Sequence, residues 1–146
     1  MKNSNLSCVL ALLVPSAFAQ YGILSTPAVH TQMSKLYCAA LQSYFGFSAH
    51  EQSFTIREDG LPNEIYSSND FRHNFLDVAV SKDRAIVHTH PAFALPTPSP
   101  DDVKVAVRLD IPNYVLSRFA LWVALPDSTT RKVADVQWKH GELVLK

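Results

Sequence analysis

This chain predicts an α+β or three-layer domain, and three observations point there. Apolar residues recur at helical spacing through residues 30–45. Short runs rich in β-branched and aromatic residues follow, separated by turn signals. A second helix signature, Ser99-Pro-Asp-Asp102, then interrupts the strands. Helix, strands, helix, strands is the order of elements around a sheet rather than of a bundle or a sandwich.

A single domain accounts for 146 residues, and a content of 47% hydrophobic and 18% charged residues is that of a globular chain with a packed core. The first nineteen residues are set apart. One positive charge at Lys2, an apolar stretch from Leu6 to Pro15 and the small-x-small ending Ala17-Phe18-Ala19 match a secretory signal peptide cleaved after Ala19. The apolar stretch is too short to span a bilayer, so the expected mature domain, residues 20–146, has no membrane span and is exported, periplasmic or secreted. Cys8 leaves with that segment, so Cys38 stands alone and no disulfide forms within the chain. Lys+Arg 13 against Asp+Glu 13 leaves no surplus of positive charge to hold a nucleic acid by its phosphates.

After a loop through Pro27, Met33, Leu36, Tyr37, Ala40, Leu41, Tyr44 and Phe45 follow a three-four rhythm, predicting an amphipathic helix closed by Gly46. Residues 51–57 alternate, with Phe54 and Ile56 facing one way, and end at the Asp59-Gly60 turn. An extended piece at Ile65-Tyr66 is available to pair with them. Residues 71–80 and 84–90 read as the next two strands, separated by a turn at Ser81-Lys-Asp83. Pro91, Pro96 and Pro98 forbid a ladder between them and the next helix. That helix has Ser99 at its cap, Pro100 at the first helical position and acids in the first turn. Val103, Val107 and Leu109 continue it to about Asp110, and Pro112 stops it. Residues 114–116 and 119–125 are strand-like, and residues 131–138 and 142–145 form a hairpin around Lys139-His140-Gly141.

The chemistry is concentrated in His88-Thr-His90-Pro and Ser99-Pro-Asp-Asp102. Two imidazoles two residues apart on a strand point to one side, with Cα atoms roughly 6.5–7 Å apart. Both rings can therefore lean onto one ion, with Asp102 entering from the next helix as third ligand and a fourth position left open. Two nitrogens, one oxygen and an open position describe a catalytic zinc site. Ser99 and Asp102 also form a capping signature, which is compatible with ligation because a cap fixes the backbone that carries the carboxylate.

His88-Thr-His90-Pro…Pro98-Ser99-Pro-Asp-Asp102 resembles the JAMM motif of JAB1/MPN-type metalloproteases: a Glu, then His-x-His, then Ser-x-x-Asp. The similarity is greatest to small bacterial JAB-like domains, which also carry an Ile-Pro-x-Tyr-Val-x-Ser-Arg segment, here residues 111–118. It covers roughly residues 49–125. Two departures are visible: eight residues separate His90 from Ser99, one more than the commonest spacing, and Phe54 stands where the family usually has Gly. The resemblance implies an MPN/JAB-like (cytidine-deaminase-like) fold, a mixed β-sheet flanked by helices. It further implies Zn²⁺ on His88, His90 and Asp102, with Glu51 as general base and Ser99 donating to the oxyanion. The reaction would be cleavage of an amide or isopeptide bond in a peptide substrate. Glu58 and Glu64 are the other candidate bases, both beside turns. Export argues against ubiquitin-like substrates unless the protein is delivered into a host. A non-catalytic MPN-like binding module and a secretion-system effector are the alternatives.

Other residues suggest blander roles. Cys38 with His30 or His50 has the elements of a thiol hydrolase, but Cys38 lies mid-helix among apolar neighbours and is expected buried and inert. His73 and His140 are expected at the surface, His50 beside the cleft, and Trp122 and Trp138 in the core.

Overall fold

The computed structural model describes residues 19–42, 51–67, 82–91 and 94–146. Outside them lie residues 1–18 of the expected signal peptide with Cys8, the helix end at Phe45-Gly46, His50, the expected strand 71–80 with His73, and Ser81.

A 3-10 segment, Ala19–Ser25, leads into helix α1, Pro27–Leu41. The helix begins three residues before the apolar rhythm does. Thr26 caps it by accepting from the Val29 N–H at 3.3 Å, and Pro27 takes the first helical position rather than ending a loop. Strands β1 (Gln52–Ile56), β2 (Tyr66–Ser67) and β3 (Ala85–Thr89) follow, then helix α2 (Pro100–Leu109). Strands β4 (Asn113–Leu116), β5 (Ala120–Ala124), β6 (Thr130–Lys139) and β7 (Glu142–Leu145) complete the chain.

The described strands form one seven-stranded mixed sheet in the order β2-β1-β3-β4-β5-β6-β7. Only β3 and β4 run parallel, because α2 carries the chain back between them; the other neighbours are antiparallel. The long strand β6 pairs with β5 through its first half and with β7 through its second, so the sheet curls. The β6–β7 turn has His140 and Gly141 at φ 52 and 84, the left-handed pair that a two-residue hairpin of this twist requires.

Alternation along the strands separates two faces. Phe54, Ile56, Ala85, Val87, Leu116 and Leu121 point one way and are buried against Val29, Met33, Leu36, Tyr37 and Ala40 of α1. This is the apolar core. Tyr37 spans it, its hydroxyl donating to the Arg118 carbonyl at 2.6 Å, and its ring stacks on Trp138. Ser53, Ile86, His88, Asn113 and Val115 lie on the other face, in register across β1, β3 and β4. Helix α2 covers that side, and Asn113 Nδ2 donates to the Asp102 carbonyl at 3.2 Å. Two helices on opposite faces make the α+β, three-layer arrangement.

On α2 the inward positions are Asp102 and Ala106, whereas Val107 is 48% exposed. The cap sets the helix phase to turn Asp102 inward, which carries Val107 out. Cys38 is free but half-buried rather than enclosed, Trp122 is half-buried, and Trp138 packs against the core as expected.

Candidate metal centre

The site forms where β3 ends and α2 begins. Fully buried β3 holds His88 at 2% exposure. His90 lies one residue beyond the strand, yet its N–H still donates to the Leu116 carbonyl at 3.2 Å, so the ladder fixes both histidine backbones. The two rings share one side of the strand, centroids 5.1 Å apart and planes at 60°.

Helix α2 supplies the carboxylate through a complete capping box. Ser99 Oγ accepts from the Asp102 N–H at 3.2 Å, and the Ser99 N–H donates to Asp102 Oδ2 at 2.6 Å. The cap therefore anchors Oδ2 and aims the carboxylate inward, where Asp102 is 7% exposed. At the other helix end Asp110 adopts the left-handed conformation at φ 55 and returns its N–H to the Ala106 carbonyl.

Asp102 lies between the two rings. His88 Nε2 is 3.1 Å from Oδ1, and His90 Nε2 is 3.2 Å from Oδ2. The ligand atoms of His88, His90 and Asp102 all fall within 4.8 Å of one another, the one such group found among the described residues. His90 Nδ1 is 2.8 Å from the Leu95 carbonyl, which can only accept. Nδ1 therefore donates to that carbonyl, and Nε2 is the nitrogen turned to the carboxylate. His88 differs: although close to Oδ1, its Nε2 is not aligned for a hydrogen bond, and its Nδ1 also has no partner.

The electrostatics follow from burial and this contact. Burial alone would raise the Asp102 carboxyl, but the charge of the His88 ring 3.1 Å away and the hydrogen bonds with His90 and Ser99 outweigh it and hold Asp102 well below the usual carboxylate range. Burial opposes a charged His88; the Asp102 charge, joined by that of Glu51, prevails and raises it. A buried anion with two imidazole nitrogens around it is the donor set of a divalent cation that accepts nitrogen and oxygen. These residues fit a metal ion that takes nitrogen and oxygen ligands.

Glu51 is placed at this end of the sheet. Gln52 is held there by its N–H donating to Thr89 Oγ1 at 3.1 Å, and Ser53 lies directly opposite His88. Alternation then puts half-buried Glu51 on the same face as Ser53 and His88. Glu58 is exposed beyond the opposite end of β1, and Glu64 is exposed on the segment leading to β2. Glu51, His88, His90, Ser99 and Asp102 thus gather at one edge, and the other two acids do not. His30 is remote from it, bonded through Nε2 to the Leu143 carbonyl at 2.8 Å.

Sequence reasoning missed two neighbours of the site. The Leu95 carbonyl is a backbone group with no signature in sequence. Fully buried Asn113 carried a faint one: Asn is depleted in strands, so an Asn opening a strand asks for a polar reason.

No protein-family model, curated protein or solved structure matches this chain.

Proposed function

We propose that this chain is an exported zinc metallopeptidase of the JAMM type, on an MPN/JAB-like fold, that hydrolyses an amide or isopeptide bond. The observation that carries the reading is the convergence of His88, His90 and Asp102 within 4.8 Å, beside Glu51 and at the cap formed by Ser99. The mixed sheet between two helices supports it, as does the resemblance of the motif. The pattern from Lys2 to Ala19 supports export.

His88 and His90, each through Nε2, and the Asp102 carboxylate would hold the ion. Zinc bound there would supply Lewis acidity to a substrate carbonyl and lower the pKa of a water towards about 7. Glu51 takes the proton from the attacking water and passes it to the leaving amine, so the amide C–N bond breaks with the nitrogen protonated. Ser99 Oγ already accepts from the Asp102 N–H, so its own proton is free to donate to the developing oxyanion.

The test uses the full chain expressed with and without residues 1–19. It should retain one zinc and cleave a denatured protein or a lysine-linked isopeptide in a chelator-sensitive manner. Glu51→Gln should keep the zinc and lose turnover by about 10²–10⁴-fold. Stoichiometric zinc with no cleavage of either substrate would favour the binding module instead.

A further inference from the structure

Among the described residues, three buried polar atoms beside the site, besides His88 Nε2 itself, have no hydrogen-bond partner: His88 Nδ1, Asn113 Oδ1 and Ser53 Oγ. They belong to adjacent positions on one sheet face. Ser53 is paired directly with His88 on β1, and Asn113 is paired with Ile86 on β4, one diagonal step from His88. Unpaired buried polar atoms are uncommon, and three together indicate a polar floor beneath the metal ligands.

Asn113 has a defined orientation. The atom 3.2 Å from the Asp102 carbonyl must be its amide nitrogen, since two carbonyl oxygens cannot bond. Its oxygen therefore turns elsewhere, still buried. His88 directs Nε2 at Asp102, which leaves Nδ1 as the nitrogen available to Asn113.

We propose that Asn113 is a positioning residue: its Oδ1 accepts the proton of His88 Nδ1, presenting the Nε2 lone pair to the metal, while its Nδ2 ties the same residue to the first turn of α2. One amide thus links a ligand on β3 to the backbone of the ligand on α2. Ser53 cannot make this selection. A hydroxyl both donates and accepts, so it serves either tautomer, whereas Oδ1 only accepts and permits one. His90 has the equivalent arrangement through the Leu95 carbonyl. Each histidine would then have its own acceptor, the usual outer support of a metal-bound imidazole.

The inference rests on the zinc reading above, but its first readout does not need zinc. Long-range ¹H–¹⁵N NMR on the full chain, after chelator treatment and above the His88 titration, reports which ring nitrogen carries the proton. Wild type and Asn113→Asp, which keeps an acceptor, should show His88 protonated at Nδ1. Asn113→Leu should show a mixture, or Nε2 protonation, with folded-state spectra otherwise retained. Zinc affinity should fall about 10–100-fold in Asn113→Leu and be largely restored in Asn113→Asp. Ser53→Ala should leave both readouts at wild type. The proposal is overturned if Asn113→Leu keeps the Nδ1–H form, or if Ser53→Ala rather than Asn113→Leu changes it. A wild type that takes up no zinc yet shows the Asn113-dependent tautomer would overturn the zinc reading and leave the positioning role standing.

Discussion

The two faces of the sheet share their strands and differ in almost everything else. On the α1 side, Phe54, Val87, Leu116 and Leu121 meet Met33 and Leu36 in an apolar layer closed to water. On the α2 side, buried Ser53, His88, Asn113 and Asp102 occupy positions that apolar residues would fill at lower cost. The difference teaches where stability and chemistry reside. The first face gains from each buried methylene; the second gives up part of that gain to hold a charge and two imidazoles in fixed geometry. A polar face of this kind is tolerable because the other face supplies the fold.

Substitutions that damage one face and leave the other intact break this comparison most sharply. Phe54→Ala should cost about 3–5 kcal/mol of stability in denaturant unfolding, while the fraction that folds keeps its zinc affinity. Asp102→Asn should abolish zinc retention and cost the metal-free protein about 3 kcal/mol near pH 5.5, because it leaves the His88 charge buried and unpaired.

That second loss is pH-dependent, with a sign set by the shifts. His88 is raised on folding, so its contribution is full below its unfolded value of about 6.5 and disappears as pH rises through the folded value. Asp102 is depressed, so its contribution is present above about pH 4 and is lost as pH falls towards its folded value. The metal-free pair therefore stabilises most between about pH 4 and 6.5. Zinc needs the neutral ring, so the rise in melting temperature on adding zinc should grow from pH 5.5 to pH 8. An increment that shrinks over that range would contradict this account.

Smaller effects separate capping from catalysis. Ser99→Ala should lose about 1 kcal/mol through the cap. Its activity should fall further than that loss explains, with Ser99→Thr recovering both. At the bottom of the scale, Val107→Thr should change stability by less than about 0.5 kcal/mol, since the side chain faces water despite its helical spacing.

Much of the frame was legible because it depends on local rules. The Ser99 cap, the Pro100 start, the β6–β7 hairpin and the alternation of β1 all appear where residue type and spacing place them. Apolar periodicity alone starts α1 at residue 30, whereas the Thr26 cap and Pro27 start it three residues earlier. Which face of α2 turns inward is set by the rotation that the cap imposes, not by its valines: Asp102 and Ala106 are buried and Val107 is exposed. Strand order had no local signature: β3 lies between β1 and β4 through contacts distant in sequence. The same division runs through the site. His88, His90 and Asp102 announced themselves by chemistry and spacing, whereas Asn113 and the Leu95 carbonyl act through positions only the folded sheet and loop create.

Zinc K-edge X-ray absorption on the purified full chain reads the proposed ligand set itself. The spectrum should show two imidazole ligands with the remaining scatterers oxygen, all at about 2.0–2.2 Å. A sulfur scatterer at about 2.3 Å, which would implicate Cys38, or protein that retains no zinc, would contradict it.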